Sequence, residues 1–186
     1  MMHNVGFTLQ AMKKTWRRRL RKMAIVIACV VVAGLLWPSR QLIPVKGAST
    51  ADWNHDTFWH HPWGRSGVHK GIDIFASEGT PVIASTGGVV VYSGTLAQGG
   101  NAVVILGPKW RFHYYAHLAS RGVRVGVTVG RGDEIGVVGT TGNAAGKPPH
   151  LHYSIATAVP YPWRLTRQRQ GWKKMIYLSP DKALRS

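Results

Sequence analysis

Between residues 80 and 155 the chain is cut into short apolar runs: Thr80–Ala84, Gly88–Tyr92, Asn101–Leu106, Arg111–Leu118, Glu134–Val138 and His150–Ile155. Glycine or proline punctuates them, and β-branched and aromatic residues fill them, which is the pattern of strands. The stretches GTPVIASTGGVVVYSG and GVTVGRGDEIGVVGTTG echo one another as strand, glycine turn, strand. The spacing predicts an all-β domain that begins near Trp53.

The N-terminal side is built differently. Seven cations lie between Lys13 and Lys22 with no acid among them, and the apolar run 23–37, MAIVIACVVVAGLLW, follows directly. A basic flank ahead of an apolar run keeps the N-terminus in the cytoplasm and sends the rest outward. The run is short for a bilayer, so a signal peptide and a signal anchor both fit. No small-x-small site follows closely, which favours an uncleaved inner-membrane anchor with a periplasmic domain over secretion to the periplasm. The expected organisation is a basic arm at 1–22 that includes His3, the apolar segment at 23–37, a linker at 38–52, the β domain at 53–160 and a tail at 161–186. The tail is basic and aromatic, with Trp163, Arg164, Arg167, Arg169, Trp172, Lys173 and Lys174.

Charge narrows the partners. The sequence has 24 Lys and Arg against 7 Asp and Glu, a net +17, of which about +10 lies beyond the arm. No helix-turn-helix, zinc-finger or RNA-binding signature accompanies it, so an anionic envelope or membrane surface is expected rather than nucleic acid. Cys29 is the sole cysteine, which leaves no internal disulfide and no cysteine-based metal site.

Three histidine-bearing segments carry the chemistry. In Gly67-Val68-His69-Lys70-Gly71-Ile72-Asp73-Ile74 an imidazole and a carboxylate stand four residues apart, with Gly71 letting the backbone bend so that both reach one ion. In Phe112-His113-Tyr114-Tyr115-Ala116-His117-Leu118, alternation puts His113, Tyr115 and His117 on one face. In Pro148-Pro149-His150-Leu151-His152 two prolines stiffen a corner, after which a strand presents His150 and His152 side by side with Leu151 in the core. A catalytic zinc needs three protein ligands, an open position and a base, and the glutamate base of an H-E-x-x-H motif is absent. Histidine is the remaining candidate base, but the residues alone do not say which of His150 and His152 binds metal.

HKGIDI, YYAHL and PPHLHYSI, in that order, with GTPV, Gly100-Asn101 and GTTGNAAG between them, resemble the M23 (LytM-type) zinc peptidases that cut peptidoglycan peptide cross-links. The resemblance covers about residues 63–155. It implies an antiparallel β groove with one zinc at its floor, held by His69, Asp73 and His152, with His150 as general base and His117 orienting or stabilising the reacting groups. The short approach Pro62–Val68 departs from relatives that carry a longer one, which bears on groove shape. Peptidoglycan peptide stems are then the expected substrate, with Arg65, Asn101 and His113 as candidate contacts and an envelope regulator as a further partner. Two alternatives compete: a non-catalytic wall-binding module that activates a partner hydrolase, and a D,D-dipeptidase or carboxypeptidase on an unrelated scaffold.

Overall fold

The structure is a computed structural model that describes residues 4–186, with side chains described from residue 12 onward; His3 lies outside the described residues. The chain divides after Trp37 into two compact units. The first contains the helix α1 (Asn4–Leu36). Among the described residues no helix is long and apolar enough to cross a membrane, so the expected spanning anchor is not found. The reason is length: the apolar stretch of α1 begins only after Lys22 and ends at Leu36, a rise of about 21 Å against a hydrocarbon core of about 30 Å.

The second unit is a nine-stranded, wholly antiparallel sheet. Its strands are β1 (Ile72–Phe75), β2 (Pro81–Ile83), β3 (Gly88–Leu96), β4 (Gly100–Gly107), β5 (Arg111–Arg121), β6 (Thr128–Val129), β7 (Glu134–Val138), β8 (His150–Thr157) and β9 (Tyr177–Leu178). The main order is β1-β8-β5-β4-β3-β6, and β7 joins β2 to β5. All six expected strands are present. The two echoing stretches meet crosswise, β2 with β7 and β3 with β6.

Period-two alternation divides the centre of this sheet into a core face and a groove face. Ile72 and Ile74 of β1, Leu151, Tyr153 and Ile155 of β8, and Tyr115 of β5 are fully buried in one apolar cluster. Asp73, His150, His152, Ser154, Tyr114 and Ala116 alternate with them and line the groove.

Two segments expected to flank the domain are part of it. The stretch 38–52 runs along β2: Val45 bridges Val82, the Ile83 amide donates to Pro44 O, and the Ser85 hydroxyl donates to Leu42 O. Val45 and Trp53 enter the core. The C-terminal tail adds β9 to β8 through Ile155 and Ala156, beyond the residues that β1 occupies. It then ends in the short helix α2 (Pro180–Leu184), whose Asp181 accepts from the Trp53 indole at 3.0 Å and bonds the His55 imidazole at 2.6 Å. Spacing could not reveal either attachment, because each depends on pairing with a strand far away in sequence.

Candidate active site

The Asp73–His152 pair follows from strand register. Antiparallel pairing of β1 with β8 sets Asp73 directly opposite His152, and His152 Nδ1 lies 2.8 Å from Asp73 Oδ1. His69, in the loop before β1, brings Nε2 to 3.2 Å from both Asp73 Oδ1 and His152 Nδ1. These three atoms form a cluster able to hold a metal ion. Gly71 serves it by leaving space rather than by bending: a Cβ there would sit 2.4 Å from Tyr153 O and 2.9 Å from the His152 ring.

Proton bookkeeping sharpens the point. A carbonyl only accepts, so the 3.1 Å contact from His69 Nδ1 to Thr57 O places the hydrogen of neutral His69 on Nδ1. Its Nε2 then turns a lone pair toward a carboxylate oxygen and another imidazole nitrogen. Burial pushes the Asp73 carboxyl up, but when the facing nitrogens of His152 and His69 carry a proton, bonding to them overrides this and holds it well below the usual carboxylate range. Burial pushes His152 down, toward its neutral form. Such converging acceptors repel one another unless a cation or proton lies between them. Trp63 stacks on the His69 ring at 4.1 Å and holds its plane.

His117 and His150 stand beside this cluster, their rings 5.1 Å apart. His150 Nδ1 donates to Pro148 O at 2.8 Å, so the Pro148-Pro149 corner fixes the tautomer as well as the position. His117 Nδ1 donates to Thr141 O at 2.9 Å. In its neutral form each ring therefore has its free lone pair on Nε2. Burial, followed by the neighbouring His152, lowers the His117 pKa to about 4, so it is neutral at pH 7.

The groove has a volume of about 560 Å³ and includes Trp63, Lys70, Tyr114, His117, Lys147 and Tyr177 in its lining. The expectation that His113, Tyr115 and His117 share a face fails. From Val103↔Tyr115 to Asn101↔Leu118, β5 advances three residues against two on β4, a bulge. His117 takes a left-handed φ of 66° there and turns into the groove, while His113 stays on the core face, fully buried, with Nδ1 2.7 Å from the Tyr153 hydroxyl. Burial lowers its pKa to about 3. His113 is thus a core residue and not a substrate contact. Tyr114 lines the groove instead, its hydroxyl pKa pushed up to about 12 chiefly by burial.

Arg65 is exposed in a short 3-10 turn and is not among the groove-lining residues. Asn101 is structural: its side chain donates to Ala119 O at 3.0 Å, and its amide donates to Thr141 Oγ1 at 2.9 Å. Thr141 in turn donates to Leu118 O and presents its own carbonyl to His117. The glycines at 100 and 142 permit this arrangement. Both have positive φ, and a Cβ on Gly142 would lie 2.3 Å from the Gly100 nitrogen.

The model of "Peptidase family M23" matches residues 67–161. An L-Ala--D-Glu endopeptidase of Bacillus subtilis is 38% identical over 113 residues, which is 56% of this chain and 35% of that protein. The peptidoglycan DD-endopeptidase ShyA of Vibrio cholerae is 38% identical over 116 residues, 62% of this chain and 26% of that one. The matched region thus spans about a third or less of these relatives. The catalytic domain of the antimicrobial peptidase lysostaphin from Staphylococcus simulans superposes with a TM-score of 0.56 at 27% identity, over 72% of this chain and all of that domain.

Proposed function

Because the chain belongs to peptidase family M23, we propose that residues 38–186 form a zinc-dependent endopeptidase that hydrolyses peptide cross-links of peptidoglycan. The observation that carries the reading is the convergence of His69 Nε2, Asp73 Oδ1 and His152 Nδ1 on one point of the groove, with two further imidazoles beside it. The donor set fits zinc. Two neutral imidazoles and a carboxylate make three protein ligands, which leaves a position open to water or substrate. Zinc bound there supplies Lewis acidity, which acidifies water toward neutrality and polarises a carbonyl.

The chain's own residues supply the proton handling. His150 Nε2, with its tautomer set by Pro148 O, takes the proton of the attacking water and returns it to the leaving amine. His117 Nε2 accepts a hydrogen bond from that water and orients it; while Nδ1–H is committed to Thr141 O, the neutral ring has no second donor to offer an oxyanion. The Tyr114 phenol, protonated at neutral pH, is a donor within the groove. Relatives named as peptidoglycan and L-Ala--D-Glu endopeptidases support the substrate class. Reaching such a substrate requires export, which the basic cluster ahead of the apolar run supports as a signal.

The test is elemental zinc analysis beside mass-spectrometric detection of peptides released from purified sacculi. Alanine at His69, Asp73 or His152 should lower zinc content and activity together. His150→Ala and His117→Ala should keep about one zinc per chain while turnover falls roughly 10²-fold or more. If His150→Ala loses zinc and His152→Ala keeps it, the two roles are reversed. If all five variants still digest sacculi, the peptidase reading fails.

A further inference from the structure

From Ile135 to Pro180 the chain contains no acidic residue, while Lys147, Arg164, Arg167, Arg169, Lys173 and Lys174 fall within that span. The fold does not leave this charge on a loose tail. β9 fixes the segment to β8, Tyr177 lines the groove, and Gln170 Nε2 donates to the carbonyl of groove-lining Ser66 at 2.9 Å. Next to it the Arg169 guanidinium lies against Gly67, with Nε and Nη2 each 3.8 Å from where a Cβ would stand. The segment is therefore built against the loop that carries His69.

Four of its cations divide into two kinds. Arg164 spends its guanidinium on Lys174 O and Tyr177 O, and Lys174 bonds Gln168 and sits over the Trp59 ring, so both hold the segment together. Arg169 and Lys173 form no ion pair among the described residues. Lys173 Nζ sits over the Trp172 ring, 5.3 Å from its centroid, and groove-lining Lys70 uses two of its three N–H groups on Ser66 O and Val68 O. Asp73 is the sole acid lining the groove, and it belongs to the metal cluster. Lys70 and Lys147 line the groove, and Arg169 and Lys173 lie just outside its lining on the segment docked at Ser66 and Gly67, so this side carries positive charge that no acid offsets.

We propose that Arg169 and Lys173, beside Lys70, form a carboxylate-binding extension of the groove that selects acidic peptides. The proposal rests on the peptidase reading and adds to it the charge that the substrate must carry. Fixed cations along a low-dielectric wall focus their field on an incoming carboxylate, and a guanidinium pairs with one through two parallel hydrogen bonds.

The test compares two synthetic cross-linked peptide dimers, one with free stem carboxylates and one with them amidated. Binding is measured by calorimetry on the full chain in a His150→Ala background, so that no bond is cut. The free-acid dimer should bind about tenfold more tightly, the yield of two partly exposed charge pairs. Arg169→Ala with Lys173→Ala should bring that ratio within about twofold, whereas Arg124→Ala with Arg131→Ala, which removes the same charge from exposed loops that do not belong to the segment docked at Ser66 and Gly67, should leave it unchanged. Equal affinity for both dimers in the parent, or equal loss in both double variants, overturns the proposal. So does a double variant that loses binding only to vesicles of anionic phospholipid, which would make the wall a membrane contact. Cleavage of the free-acid dimer by the unmutated, zinc-loaded chain tests the peptidase reading separately, because binding selectivity can hold whether or not a bond is cut.

Discussion

Gly71→Ala probes the geometric basis of the metal cluster with a single methyl group. The added Cβ would lie 2.4 Å from Tyr153 O and 2.9 Å from two atoms of the His152 ring, about 1 Å inside ordinary contact. The nearest obstacle is backbone of β8, and Ile72, the next residue, pairs with Tyr153 itself. Relief therefore requires β1 and β8 to part by a substantial fraction of an ångström. Asp73 and His152 are the adjacent pair in that ladder, so their ligand atoms part too. Metal sites tolerate only about 0.2 Å in ligand distance. Overpacking should cost about 1–3 kcal/mol of stability, and zinc affinity should fall at least as far as for a lost supporting contact, roughly 10–100-fold. Competition with a chromogenic chelator reads the affinity, and urea denaturation followed by circular dichroism reads the stability. Gly122→Ala is the control: its Cβ would meet nothing nearer than 3.6 Å and its φ is not positive, so both readouts should stay near wild type. A Gly71→Ala protein that binds zinc as tightly as the parent would refute the view that close approach explains this glycine.

Two further predictions concern the scaffold. The His113 pKa is depressed to about 3 by burial against 6.5 unfolded, so between those values the unfolded chain binds a proton that the native one refuses. Stability should rise with pH across that window and level off above it, by up to about 1.4 kcal/mol per pH unit for this group. His113→Gln should flatten the slope by about one proton in urea titrations from pH 4 to 7; an unchanged slope would mean that His113 protonates in place. Asp181→Ala leaves the buried Trp53 indole N–H without its acceptor and His55 without its partner. A loss of about 1–3 kcal/mol is expected by the same denaturation assay, with zinc binding intact.

Several features follow from local pattern alone. Period-two alternation is enough to place His150 and His152 on one face with Leu151 beneath, and the structure has that arrangement, because neighbouring side chains in a strand must point opposite ways. The six glycine-bounded runs are strands for the same local reason. Beyond that, long-range pairing decides. Register between β1 and β8 sets Asp73 against His152, and no spacing along the chain contains that information. A bulge on β5, visible only in its pairing with β4, sends His117 to the groove, leaves His113 in the core and gives the groove Tyr114. Asn101 and Gly100 are conspicuous in the sequence, yet their use is to seat Thr141, whose carbonyl fixes the His117 tautomer from 24 residues away. The segments at 38–52 and 161–186 look like linker and tail because their own residues lack a strand pattern. They belong to the domain because β2 and β8 leave edges whose backbone groups require partners, and these segments supply them.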